Sequence, residues 1–154
     1  MALTAYLKVE GKFQGEIKGD CPEGGDKKDK ILVYAIDHSV ENFRDTSYGR
    51  IHKSLTITKH KDQATPKLFK ACCTGENVTV ILDNYRVKPD GTEEKYFTTK
   101  LEEAIIVSIR DYTPLTFLPE DKPYRDMEEV AFSYTKITWT YNDGNIEFVD
   151  DLEA

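Results

Sequence analysis

The sequence predicts a mainly β protein, a closed or nearly closed antiparallel β-barrel with one short α-helix, and three observations predict it. Period-two alternation of apolar and polar residues recurs along most of the chain. Two of these stretches far exceed the roughly five or six residues of an ordinary strand, a length that suits strands bending around a barrel. Helical punctuation is convincing once. Closure of such a sheet removes the long edges that would otherwise invite unwanted pairing.

Leu3 to Glu10 opens the chain as a strand, and Gly11, Gly15, Gly19, Pro22, Gly24 and Gly25 then mark a loop-rich connection. After the charge run Asp26 to Lys30, the strand from Ile31 to about Val40 is apolar on both sides. Leu32, Tyr34, Ile36 and His38 alternate with Ile31, Val33 and Ala35. Asn42 to Gly49 has no strand period and predicts a long exposed loop. From Gly49 to Lys59 a strand resumes, with Ser54, Thr56 and Thr58 alternating with Lys53, Leu55, Ile57 and Lys59.

Thr65 suits a helix N-cap and Pro66 the first helical residue, where a missing N–H costs nothing. Leu68, Phe69 and Cys72 supply the apolar stripe, and Gly75 stops the helix in a left-handed conformation. Val78 to Val87 alternates again and ends at the turn Lys88-Pro89-Asp90-Gly91. Lys95 to Tyr112 follows as one long strand, with Phe97, Leu101, Ile105, Val107 and Ile109 on one face. Lys100, Glu102, Ser108 and Arg110 stand on the other. Thr113 to Pro123 holds three prolines and is irregular. Glu129 to Tyr141 is a strand whose aromatic phase slips between Phe132/Tyr134 and Ile137/Trp139, as a β-bulge would cause. Asn142 to Asn145 turns it into Ile146 to Val149. With no repeat or linker in view, residues 1–154 are expected to form a single domain.

Composition narrows the function. Hydrophobic residues make up 39 % and charged residues 32 %, the balance of a globular chain rather than a disordered one. No apolar run approaches the roughly 18 residues of a membrane helix, so no membrane role is expected. A net charge of −7 argues against nucleic acid as a partner, because that role needs a basic face. No cleavable secretory signal is visible at the N-terminus, which predicts synthesis in the cytoplasm. The three cysteines, Cys21, Cys72 and Cys73, fit reduced thiols better than a disulfide framework.

No constellation for catalysis, cofactor or metal emerges. His52 and His60 lie eight residues apart on or beside one strand, about 26 Å at a rise of about 3.3 Å per residue, too far to share a metal. His38 meets either only through tertiary folding. Cys72-Cys73 is neither a Cys-x-x-Cys redox motif nor a zinc ligand pair. Glu102 and Glu103 alternate across a strand and face opposite ways, unlike a cooperating acid/base pair. The glycines fit no phosphate-binding loop. The protein is therefore expected not to be an enzyme.

The order of these segments carries a resemblance over nearly the whole chain, from about Ala5 to Asp151. Ala5-Tyr6-Leu7-Lys8-Val9-Glu10-Gly11, Gly15-Glu16-Ile17-Lys18-Gly19-Asp20, Ile31 to His38, Gly49 to Ala71, Leu101 to Ile109 and Val130 to Trp139 stand in order. Together they resemble Hcp, the haemolysin-coregulated tube protein family of bacterial type VI secretion. The resemblance implies a helix packed at the barrel's side and a homo-hexameric ring that stacks into a tube inside a contractile sheath. It also implies the spike protein VgrG, sheath and baseplate proteins and small effector cargo as partners, with export to the medium or a target cell. Six copies at −7 each bring about −42 together, so stacking needs local complementarity. The irregular segment Asn42 to Gly49, with Arg44, Asp45 and Tyr48, is the expected ring-stacking contact. A small barrel carrying an apolar ligand is the alternative, with Tyr34, Phe97, Phe132 and Trp139 as its aromatic lining.

Overall fold

The computed structural model describes residues 5–44, 49–122 and 126–153, and these form a barrel-like antiparallel sheet with the helix at its side. Strand β1 (Ala5–Gly11) pairs in register with β8 (Val78–Val87), and β8 pairs with the long β9 (Glu93–Tyr112). The far half of β9 pairs with β10 (Met127–Ser133), which pairs with β7 (Leu55–His60). The ends of this path are bridged by consecutive short strands. One, β3 (Ile31–Val33), pairs with β1, and the next, β4 (Ala35–Asp37), pairs with β7. Short β2 (Gly15–Ile17) turns back on β1, while β11 (Lys136–Tyr141) and β12 (Ile146–Asp151) extend the sheet beyond the near half of β9.

Alternation puts one face of β1, β7, β8 and β10 inside. Leu7 and Val9, Val78 and Val80, Leu55 and Ile57, Val130 and Phe132, and Ile137 meet in one cluster sealed from water. Side chains fill the barrel interior, at about 25 cal/mol for each Å² of apolar surface removed from water.

The long strand is one residue out of the predicted phase from Ala104 to Val107, and Ile109 beyond packs on the core as predicted. Leu101 is buried as expected, yet Ala104 and Ile106 are buried while Ile105 and Val107 are exposed. Opposite the single residue Thr79, β9 places two, Glu102 and Glu103, and Glu103 adopts φ +49. That bulge flips the faces, because the side-chain period of a strand is two. Further extra residues stand at Tyr96, against β8, and at Val107, against β10. Each bulge bends the strand, so one strand serves both halves of the barrel.

Other predicted strands divide. Ile31 to Val40 breaks after Val33, where Tyr34 N–H donates to the Thr58 carbonyl and the chain crosses from β1 to β7. Glu129 to Tyr141 breaks at Tyr134 and Thr135. The slipped aromatic phase marks a change of neighbouring strands, from β7 and β9 to β9 and β12, in place of a bulge within one strand. Asn42 and Phe43 are not loop residues: β5 (Val40–Phe43) pairs with β6 (Gly49–His52) as a separate two-stranded hairpin. The predicted strand from Gly49 to Lys59 is interrupted between His52 and Leu55 for the same reason.

Helix α1 (Thr65–Thr74) lies against β9 and buries Leu68 and Ala71, with Cys72 half-buried on the core. It starts one residue earlier than predicted, with Ala64 as N-cap. Thr65 Oγ1 instead accepts the Asp62 N–H at 3.1 Å, and Asp62 Oδ1 accepts the Ala64 N–H at 3.0 Å. Gly75 ends it at φ +69 as predicted, where a Cβ is disfavoured. Beneath the helix start lies a buried ion pair of Lys59 and Glu128, opposite each other on β7 and β10. Lys59 Nζ also reaches Asp62 Oδ1 at 2.9 Å, and Thr65 Oγ1 donates to Glu128 Oε1 at 2.8 Å.

Candidate assembly surface

The hairpin β5–β6 stands apart from the main sheet, so its position depends on side-chain contacts at its base. Arg50 of β6 clasps Asp150 of β12 with two parallel bonds, Nε to Oδ2 at 2.7 Å and Nη2 to Oδ1 at 2.9 Å. His52 of β6 bridges Asp150 and Tyr134, with Nε2 2.7 Å from Asp150 Oδ2 and Nδ1 2.7 Å from Tyr134 Oη. His38, just before the hairpin, reaches the same hydroxyl through Nε2 at 2.7 Å. Trp139 stacks on His52 with ring centroids 6.2 Å apart, and Phe148 stacks on Trp139 at 5.9 Å.

Electrostatics follow from this packing. Arg50, and after it His52, hold the Asp150 carboxyl below its usual range against the effect of burial. Burial, with the Asp150 charge behind it, pushes the Tyr134 hydroxyl up to about 12, so it stays protonated. Desolvation and the neighbouring His52 lower His38 from 6.5, only partly offset by Asp37.

Arg44 lies in the turn after β5 and is exposed, whereas Asp45 and Tyr48 lie outside the described residues. The structure therefore puts Arg44 at the turn of a hairpin where the sequence predicts an irregular loop as the stacking contact. It also reveals partners that sequence reasoning missed. His38, His52, Tyr134 and Asp150 come from four separate segments, and no spacing signals their meeting. His60 packs elsewhere, against Tyr34, with ring centroids 4.3 Å apart and the rings tilted by 54°.

Around this junction the surface is unusually apolar. The hairpin exposes Val40, Phe43 and Ile51, and β12 exposes Ile146 at 69 % and Phe148 at 61 %. Among the described residues β12 pairs with β11 alone, so its outer edge presents open backbone groups beside these side chains. Elsewhere Phe13 is 82 % exposed at the β1–β2 turn, and Leu115 and Phe117 stand out from the proline-rich segment. Scattered apolar residues need no explanation, but several exposed ones on two hairpins joined at their bases, beside an open strand edge, mark a candidate contact surface.

Ligand binding finds less support. The barrel centre is occupied by Leu7, Val80, Ile57, Val130 and Phe132. Phe132 is core, and Tyr34, offered as cavity lining by the carrier alternative, is exposed on the outside. Surface grooves of about 370 Å³ beside Glu10, Lys12, Thr79 and Glu103 and of about 400 Å³ beside Lys8, Asp26, Lys30 and Asp83 are lined mainly by polar and charged side chains, unlike the apolar lining of a ligand pocket, and a third, between Cys21, Leu32, Tyr34 and His60, is about 240 Å³. Cys73 is exposed, and among the described residues no three His, Cys, Asp or Glu side chains converge as a metal site.

Comparison with known proteins places these features in context. Residues 6–141 match the family model described as the type VI secretion system effector, Hcp. The chain is 36 % identical to a "major exported protein" of Pseudomonas aeruginosa, over all of this chain and 98 % of that one. A crystal structure of an Hcp protein superposes with a TM-score of 0.87 at 28 % identity, covering 98 % of each chain. The secreted protein Hcp3 from Pseudomonas aeruginosa superposes with a TM-score of 0.82 at 33 % identity, covering 99 % of this chain and all of that one.

Proposed function

The chain belongs to the Hcp family of type VI secretion, and from that premise we propose that it is a structural tube subunit, six copies of which close a ring that stacks into the injection tube. One observation carries the reading beyond family membership: the open edge of β12 and its exposed Ile146 and Phe148, beside the apolar hairpin residues Val40, Phe43 and Ile51. A ring needs two different complementary patches on each subunit. This rim supplies one, and Phe13, Leu115 and Phe117 supply apolar material for another. The domain acts as one unit over residues 1–154 in a structural, non-catalytic role and is exported with the tube.

The finer partners belong to the same proposal. The ring caps onto the spike protein VgrG, grows from baseplate proteins inside the sheath, and carries small effectors in its channel. Arg44, Asp45 and Tyr48 contact the next ring, supported by the exposed position of Arg44 at the end of β5. Arg44→Glu is expected to shorten tubes while leaving rings intact, as counted by electron microscopy. Export is tested by following the tagged chain into the medium of cells with and without a working sheath. Sheath-dependent appearance supports the tube reading, and sheath-independent release or full retention refutes it.

A further inference from the structure

The polar chain at the hairpin base has a direction, and counting its protons shows what it tolerates. Asp150 is an ionised acceptor, so His52 Nε2–H must donate to it. With both imidazoles neutral, His52 Nδ1 accepts the Tyr134 O–H, and the Tyr134 oxygen accepts His38 Nε2–H. Every group is satisfied. One proton added to His52 is also accommodated: His52 Nδ1–H donates to Tyr134, the hydroxyl turns toward His38, and His38 changes tautomer to accept it. A second proton, on His38, is not. Two N–H donors then face one hydroxyl whose own proton has no acceptor left in the chain, and two imidazolium rings stand across a single oxygen.

We propose that His38, Tyr134, His52 and Asp150 form an acid-sensitive latch that holds the β5–β6 hairpin against the β11–β12 hairpin at neutral pH and loosens its hold, leaving the Arg50–Asp150 clasp, when both histidines carry a proton. Among the described residues, this chain and the Arg50–Asp150 clasp, which shares its carboxylate, tie the base of the hairpin to the β11–β12 wing. The charged groups facing the histidines are Asp37 beside His38 and Arg50 and Asp150 beside His52, with Trp139 packed on both rings. The Lys53–Glu41 pair lies farther out, at 3.7 Å, on exposed side chains. Only Asp37 favours the charged form of His38, while burial and His52 oppose it.

The sign follows. A histidine lowered below its unfolded value of 6.5 stabilises the docked hairpin fully above that pH, and the stabilisation is lost as pH falls below it. This loosening moves Val40, Phe43 and Ile51 relative to the wing bearing Trp139 and Phe148, and so disturbs the apolar rim. The latch is a property of the single chain. Its consequence, weaker association between subunits in acid, rests on the tube reading.

The test uses the full chain and amide hydrogen exchange, corrected for the intrinsic pH dependence of the exchange rate, from about pH 7.5 to about pH 4.5. Protection of residues 40–43 and 49–52 is expected to fall at least about tenfold across this range, while Val78–Val87 stays protected. Tyr134→Phe removes the shared hydroxyl and is expected to show the acid level of hairpin protection already at neutral pH. His38→Gln, which cannot take the second proton, is expected to keep its hairpin protection constant across the range. Trp139, the single tryptophan, reports independently, because its emission is quenched by a protonated imidazole stacked on it. Unchanged hairpin protection in the wild-type chain overturns the latch, as does His38→Gln titrating like wild type. A native mass that never exceeds one chain refutes the tube reading and leaves the latch standing.

Discussion

Lys59 and Glu128 offer the sharpest test of how the helix is fixed to the barrel. Both side chains are sealed from water, at 0 % and 1 % exposure, and they face each other across β7 and β10. Lys59→Met removes the cation from beneath the helix start and leaves Glu128 buried without its partner, with Thr65 still donating to it. Breaking a buried pair by removing one member costs about 3–5 kcal/mol, because an uncompensated charge remains. At about 2–4 °C per kcal/mol for a chain of this size, the melting temperature should fall by roughly 6–20 °C. Glu128→Leu alone leaves Lys59 its 2.9 Å contact with Asp62 and should cost less, about 1–3 kcal/mol. The double substitution Lys59→Met/Glu128→Leu removes both desolvation penalties, so it should recover most of the loss, a coupling of at least about 2 kcal/mol. Urea unfolding of the four proteins gives the cycle. Single losses under about 1 kcal/mol, or additive losses in the double variant, would refute the argument that the pair acts as a closed unit.

Three further outcomes follow from local geometry. Gly11→Ala puts a Cβ 2.2 Å from Glu76 Oε2, which accepts the Phe13 and Gln14 N–H groups at 2.9 Å each. The displaced carboxylate should cost about 1–3 kcal/mol in denaturant unfolding and loosen the β1–β2 turn. Glu103→Gly relieves a left-handed residue at the β9 bulge and should raise stability by about 1 kcal/mol, since the bulge itself is required by the register. In acid, Glu76 and Asp150 lose stabilising charge. Both sit below their unfolded values of 4.5 and 3.8, so their contribution is full above those values and is lost as pH falls toward their folded ones. Glu76→Gln should therefore flatten the acid limb of a stability–pH profile below about pH 4.5.

Much of this architecture is legible in the sequence where local rules dominate. Val78 to Leu82 alternates in and out, and the strand has the predicted bounds, although Leu82 and Asp83 are both buried. Gly75 stops the helix where a left-handed residue was needed. Legibility fails where tertiary pairing inserts a residue. Glu103 carries no local sign of its positive φ, so the buried face of β9 beyond it was assigned to Ile105 and Val107 instead of Ala104 and Ile106. The hairpin was hidden because its two strands are short and mostly exposed, leaving no buried period to detect. The junction at its base was hidden for another reason. It joins residues 82 to 98 positions apart, such as His38 and His52 with Tyr134, and only the finished fold brings them together. Arg44 is proposed as a ring contact on irregularity and exposure alone, and its neighbours Asp45 and Tyr48 lie outside the described residues.

The central claim is that this chain closes rings through its apolar rim, and native mass by light scattering tests it most directly. Six chains of 17.6 kDa predict a species near 106 kDa at neutral pH, which Phe148→Glu on the exposed edge strand should shift toward 17.6 kDa without unfolding the barrel. A wild-type chain that stays at 17.6 kDa at every concentration, or a Phe148→Glu ring as stable as wild type, would contradict the account.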